Sequence, residues 1–239
     1  MSVHGRLGPA RWYFTGRAGG VSVGQYASLN PAAHVGDEPA AVSENRRRIA
    51  AMVGAPLAIM GPVHGAAVAV VEEPTDEPIA GVDALVTTRP EVALMAFAAD
   101  CVPVILIDET AGCVAAIHAG WPGVRDGVVF AALAALEQQG AVATSTTAIL
   151  GPSICGLCYA VPQDRFDAVT AVAPRAASTA RDGQVSLDLR VGLSALLKDR
   201  GVTVQTVGGC VAESSDWYSY RRDGVTGRNT AVVVLDAAP

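Results

Sequence analysis

The chain has 239 residues, 17 basic and 23 acidic, for a net charge of −6 at pH 7. It is 51% hydrophobic and 17% charged with a mean hydropathy of +0.34, which excludes the polar, charge-rich composition of disorder. A pI near 5.2 and 5% aromatic residues argue against a nucleic-acid partner, which calls for basic surface or stacking platforms.

A chain of this size buries roughly 70% of its unfolded surface, so one globular domain over residues 1–239 is expected. The segment Met1–Pro9 has no apolar h-region. The apolar run Val92–Ala99 is far shorter than the ~20 residues of a membrane span. A soluble, cytoplasmic protein without a membrane partner is the expectation. Five cysteines, an odd number, fit thiols or metal ligands better than a disulfide framework.

In chain order, a short aromatic strand (Trp12–Phe14) precedes the glycine-rich loop Gly16–Gly24. Glu38–Val53 predicts a helix, with Pro39 in its first turn and Val42, Ile49, Ala50 and Val53 on one face. Glu72–Pro78 reads as a loop. Val92–Ala98, Val104–Ile107 and Cys113–Ile117 are continuous apolar runs that predict buried strands. Val124–Gln139 has helical spacing and a stop at Gly140.

Ala148–Leu150 predicts a further strand, broken by Gly151-Pro152. Gln163–Ala173 and Leu187–Arg200 read as helices, with Ala176–Gly183 as a loop between them. Val202–Val207 and Thr230–Leu235 close the chain as strands. Strands and helices mix without strict alternation, which predicts an α+β fold rather than a doubly wound sheet.

His64, Cys101 and His118 stand near the ends of apolar segments. Imidazole and thiolate are the ligands zinc favours, and three of them leave a fourth position for water or substrate. Their separations of 37 and 17 residues carry no information. Asp100 beside Cys101 puts a carboxylate between two apolar strands, a costly place unless it is paired or functional. His118-Ala119-Gly120-Trp121 is a strand-to-helix junction, where backbone N–H groups line site rims.

Cys155-Gly156-Leu157-Cys158 is either a redox pair or half of a structural zinc site, but the sequence shows no second such pair. Bracketed by Gly151-Pro152 and Pro162, it reads as buried small side chains in a loop. Arg46–Arg48 lie on a predicted helix, and Arg221, Arg222 and Arg228 in a glycine-containing basic loop. Arginine is suited to bidentate contact with phosphate or carboxylate.

Together the motifs resemble the YfiH-type family, also called laccase-like or polyphenol oxidase proteins and peptidoglycan-editing factors. The likeness runs nearly end to end. It includes Arg17-Ala18-Gly19-Gly20-Val21-Ser22, Ser28-Leu29-Asn30, His34-Val35-Gly36-Asp37 and Glu44-Asn45-Arg46. It continues through Val63-His64-Gly65, Asp83-Ala84-Leu85-Val86-Thr87, Ala99-Asp100-Cys101-Val102-Pro103 and His118-Ala119-Gly120-Trp121. Gly151-Pro152-Ser153-Ile154 and the run Ser219–Arg228 complete it.

The resemblance implies a single-domain layered sandwich of mixed sheets and helices. It implies a zinc site at His64, Cys101 and His118, and purine nucleosides and phosphate as small-molecule partners. The implied activity is phosphorolysis of adenosine, inosine, guanosine and methylthioadenosine, with deamination of adenosine. Asp100, Cys101 and His118 are the expected catalytic residues, and Asn45, Arg46, Arg221 and Arg228 the expected substrate-binding ones. The chain departs from the family pattern at Pro62, where glutamine is usual, and at Pro122, where arginine is usual. Leu157-Cys158 replaces a common Cys-Cys, which supports a non-catalytic role for Cys155 and Cys158. Two alternative readings accompany the first: a cysteine hydrolase or amidase editing peptidoglycan precursors through Cys101 and His118, and a copper-dependent polyphenol oxidase.

Overall fold

The apolar runs of the sequence become strands that are covered on both faces, and this sets the architecture. In the computed structural model, which describes residues 2–237, the chain opens with β1 (Ser2–Leu7) and β2 (Ala10–Thr15). Helix α1 (Pro39–Val53) leads into β3 (Leu57–Gly61), β4 (Val68–Val70), β5 (Ile79–Ala80) and β6 (Ala84–Thr87). The central strands are β7 (Ala93–Ala98), β8 (Val102–Asp108) and β9 (Cys113–Ala119). Two helices follow, α2 (Trp121–Arg125) and α3 (Val128–Gln138), then β10 (Thr146–Leu150) and α4 (Gln163–Thr170). The hairpin β11 (Ala177–Thr179) and β12 (Val185–Leu187), α5 (Leu189–Asp199), β13 (Thr203–Thr206), α6 (Tyr220–Asp223) and β14 (Asn229–Leu235) finish the chain.

Two mixed six-stranded sheets result, in the orders β1-β2-β14-β7-β3-β5 and β13-β10-β8-β9-β6-β4. Alternate side chains of one strand serve two different cores. On β7, Leu94 and Ala96 point between the sheets, while Ala93, Met95 and Phe97 pack with Ile49 and Val53 of α1. On β8, Ile105 and Ile107 face the other sheet, while Val104 and Leu106 pack with Leu133 and Leu136 of α3 and Leu193 of α5. The layers therefore run helix, sheet, sheet, helices. No helix among the described residues is long and apolar enough to cross a membrane.

Most predicted elements appear, and four differ for local reasons. The helix expected over Val124–Gln139 is two helices, because Gly127 adopts φ +81° and Asp126 closes the first by bonding Pro122 O. The loop expected over Ala176–Gly183 contains a strand, with Ala177 paired to Leu187 and Thr179 to Val185 around a polar turn at Gly183. Leu187 belongs to that hairpin, so α5 begins two residues later with Asp188 as its cap, accepting from Val191 N–H at 3.0 Å. The helix from Gln163 ends at Thr170 rather than Ala173.

Candidate functional site

Three adjacent strands of the second sheet end at the same edge. The β6–β9 register pairs Ala84 with Ile117, and β8–β9 pairs Val102 with Ala119. One residue further along, Asp83 therefore stands opposite His118, and Cys101 opposite Gly120. His118 N–H donates to Asp83 O (2.9 Å), and the imidazole Nδ1 lies 2.8 Å from Asp83 Oδ1. That carboxylate orients the ring and leaves Nε2 for another partner.

His64 comes from the loop after β3. Asp83 fixes that loop as well, accepting backbone N–H bonds from Val63 (3.2 Å), His64 (2.9 Å) and Gly65 (2.7 Å). The rings of His64 and His118 meet edge to face, 4.7 Å apart at an interplanar angle of 84°. One donor atom each from His64, Cys101 and His118 lies within 4.8 Å of the others.

The backbone is shaped for this convergence. His64 (φ +62°) and Asp100 (φ +88°) occupy the left-handed region that non-glycine residues seldom enter. Gly120 leaves the necessary room, since a Cβ there would sit 2.7 Å from His64 Cδ2 and 3.1 Å from Cys101 Sγ.

Burial opposes ionisation of Cys101, but the charge and hydrogen bonds of His118 and His64 outweigh it and lower the thiol to about 6. Burial likewise disfavours a charged His118, yet Cys101 and Asp83 raise it to about 9. Two imidazoles and a readily ionised thiol, with a buried carboxylate behind one ring and one side open to solvent at His64, suit a divalent metal with a free position.

The other predicted residues fall around this edge in different ways. Asp100 accepts from Ser219 Oγ (2.6 Å) and from Arg221 N–H (2.6 Å), tying the α6 segment to the site. Burial raises its pKa despite those bonds. Arg221 reaches Ala160 O (2.9 Å) and lies over the Tyr159 ring. Arg228 is held near Asn30, its Nη1 bonding Thr226 O and Gly227 O.

Arg46 bonds Pro31 O through Nε, while its Nη2 is buried without a partner. It lines a cavity of about 240 Å³ with His34, Met60, Pro62, Glu77 and Phe97. Desolvation, then the charges of Arg228, His118, Arg46 and His64, lowers the pKa of His34. Asn45 is fully buried and its amide is engaged by Val21 N–H, Ser22 Oγ, Ser28 O and Asn30 O. It braces the loop between Val21 and Asn30 and has no free polar group for substrate.

Sequence reasoning does not single out Asp83 as a site residue. Its available signal is an aspartate immediately before the apolar strand Ala84–Thr87. Cys155 and Cys158 lie apart from the trio, in the loop after β10.

A two-sheet α+β sandwich with a Cys–His–His cluster on one sheet edge defines the class. Residues 11–236 match the family described as multi-copper polyphenol oxidoreductase laccase, and the chain belongs to that family, which includes YfiH-type proteins. It is 44% identical over 235 residues to a Streptomyces griseus protein named purine nucleoside phosphorylase ORF3, covering 96% of each chain. The crystal structure of Neisseria meningitidis protein NMB0706 superposes with a TM-score of 0.87 at 34% identity over 99% of each chain. That of a Bacillus licheniformis hypothetical protein, YfiH, superposes at 0.88 and 27% identity, over 95% of this chain and 93% of that one.

Proposed function

We propose that this chain is a zinc-dependent purine nucleoside phosphorylase that also deaminates adenosine. The observation that carries the reading is the convergence of His64, Cys101 and His118 within 4.8 Å, with Asp83 behind His118. The name of the Streptomyces griseus relative supplies the substrate class. The donor set fits zinc, and Gly120 keeps space beside it. Bound there, zinc supplies a Lewis acid with one position open to water or substrate.

In phosphorolysis, phosphate attacks C1′ of the ribose, the bond to the purine nitrogen breaks, and ribose 1-phosphate and the base leave. Arg46 is suited to the phosphate: its buried Nη2 lacks a partner, and an anion would supply one. Arg228 and Arg221 are suited to add positive charge for the same anion. In deamination, water adds at C6 of adenosine, and inosine and ammonia are the products. Asp100, with its raised pKa, is suited to take a proton from the attacking water and return it to the departing amine.

The second reading, a cysteine hydrolase or amidase, draws on the lowered pKa of Cys101 beside His118. The two differ in whether Cys101 is a ligand or a free nucleophile. Metal-quantified protein is incubated with adenosine and with inosine, each with and without phosphate, and products are identified by mass spectrometry. Phosphate-dependent adenine or hypoxanthine with ribose 1-phosphate, lost in Cys101→Ser, is expected, as is inosine from adenosine without phosphate. Zinc-loaded protein that yields neither overturns the reading. Metal analysis on the same sample distinguishes zinc from copper.

A further inference from the structure

The Cys-x-x-Cys motif finds in the fold the second half that the sequence does not display. Sγ atoms of Cys155, Cys158 and Cys210 and a carboxylate oxygen of Glu213 lie within 4.8 Å of one another. Each pair sits on one turn of the same form. Cys158 N–H bonds Cys155 O (3.0 Å), and Glu213 N–H bonds Cys210 O (3.2 Å). Ser153 bridges Cys210 in parallel, and Val211 N–H donates to Ser153 O (3.1 Å), which sets the two turns face to face. We propose that Cys155, Cys158, Cys210 and Glu213 form a second, four-ligand site for a divalent zinc-type cation, structural rather than catalytic.

Four donors at tetrahedral zinc with Zn–S bonds of about 2.3 Å stand roughly 3.7 Å apart. The distance from Cys158 Sγ to Glu213 Oε1, 3.5 Å, already matches, and all four donors lie within 4.8 Å of one another. Cys155 N–H donates to Cys210 Sγ at 3.3 Å, a bond that holds this sulfur against the Cys-x-x-Cys turn. Three thiolates and a carboxylate around a divalent cation make a negative complex. Arg181 is beside it, paired through an exposed contact with the same Glu213 Oε1 that faces Cys158, and so supplies a compensating positive charge. Three cysteines at one place cannot all be used by one disulfide, whereas a four-coordinate ion uses every donor and leaves no open position.

The site would clamp two segments that flank the catalytic edge. The first runs through Tyr159 and Ala160, the second through Val211 to Arg221. Beyond the cluster these segments meet where Arg221 reaches Ala160 O and the Tyr159 ring, and where Tyr159 packs in one apolar cluster with Val211 and Trp217. The clamp would hold Arg221 in place without touching substrate.

The test is zinc content of the full-length protein purified with a phosphine reductant. About two zinc per chain are expected for the wild type, and about one each for Cys101→Ser and Cys158→Ser. Cobalt loaded into Cys101→Ser should show the intense near-ultraviolet charge-transfer absorption and visible bands of tetrahedral multi-thiolate coordination. This readout leaves the second cluster intact, so it does not depend on whether its variants fold. Cys101→Ser protein that holds no zinc and gives no such spectrum overturns the proposal. So does unchanged zinc content in Cys158→Ser, or a Cys155–Cys158 disulfide, mapped by mass spectrometry, that persists in the reductant.

Discussion

The molecule carries two sulfur-containing clusters built on opposite principles. His64, Cys101 and His118 are brought together by strand ends in β8 and β9 and one loop, with two residues in the left-handed region and a carboxylate behind one ring. Cys155, Cys158, Cys210 and Glu213 sit on two short turns joined by a single bridge. Three donors leave a position for chemistry, while four close the shell. The number of donors that the backbone delivers separates an arrangement suited to catalysis from one suited to holding loops together.

Removing a ligand from the first cluster should have the largest effect. Cys101→Ser or His118→Ala is expected to abolish zinc at that cluster and reduce phosphorolysis to background, as read by metal analysis and product formation. Asp83→Asn keeps all three ligands but weakens the partner of His118. Metal affinity or turnover should fall about 10–100-fold, measured by chelator competition and kcat. An unaffected variant would mean that Asp83 serves only the fold.

Gly120→Ala tests the space beside the cluster. With a Cβ 2.7 Å from His64 Cδ2, the ring must shift, and a displacement of about 1 Å can cost roughly 100-fold in rate. Tm should change little in comparison, since the crowding is confined to the site rim. Arg46→Ala should raise the KM for phosphate about 10–100-fold if its unpartnered Nη2 receives the anion, the worth of one charge-assisted hydrogen bond. Arg47→Ala, whose side chain is exposed and paired with Glu44, should leave that KM unchanged.

The smallest effect distinguishes the clusters by proton affinity. In chelator-treated protein Cys101, lowered to about 6, is thiolate at neutral pH, and its alkylation should slow as pH falls through that value. Cys158 is shifted the opposite way, by burial first and then by the charge of Cys210. Its alkylation should be slow at neutral pH and accelerate as pH rises. Peptide mapping after a short iodoacetamide pulse separates the two. Equal rates would erase the electrostatic distinction between the clusters.

The parts of the fold legible in the sequence are those whose signal is local. The runs at Val92–Ala98 and Cys113–Ile117 read as strands because both faces are buried, so no polar residue interrupts them. Helix α1 was visible through Val42, Ile49 and Val53, all buried on one face. The break at Gly127 was not, because glycine within a helical pattern is compatible with either continuation or a left-handed stop. The short polar hairpin at Ala177–Leu187 likewise lacks apolar alternation.

The sequence by itself determined which chemistry was on offer. Its ligand-type residues at His64, Cys101 and His118, its Cys-x-x-Cys and its arginines were all readable one by one, and its motifs marked the family. Tertiary structure alone decided which of them meet. Asp83 gains its place behind His118 through a cross-strand register, and Cys210 and Glu213 come to Cys155 and Cys158 across more than fifty residues of chain. Residue types are written in the sequence, but a coordination shell depends on distances of a few ångströms between segments remote along it, and only the packing of the two sheets and their loops sets those.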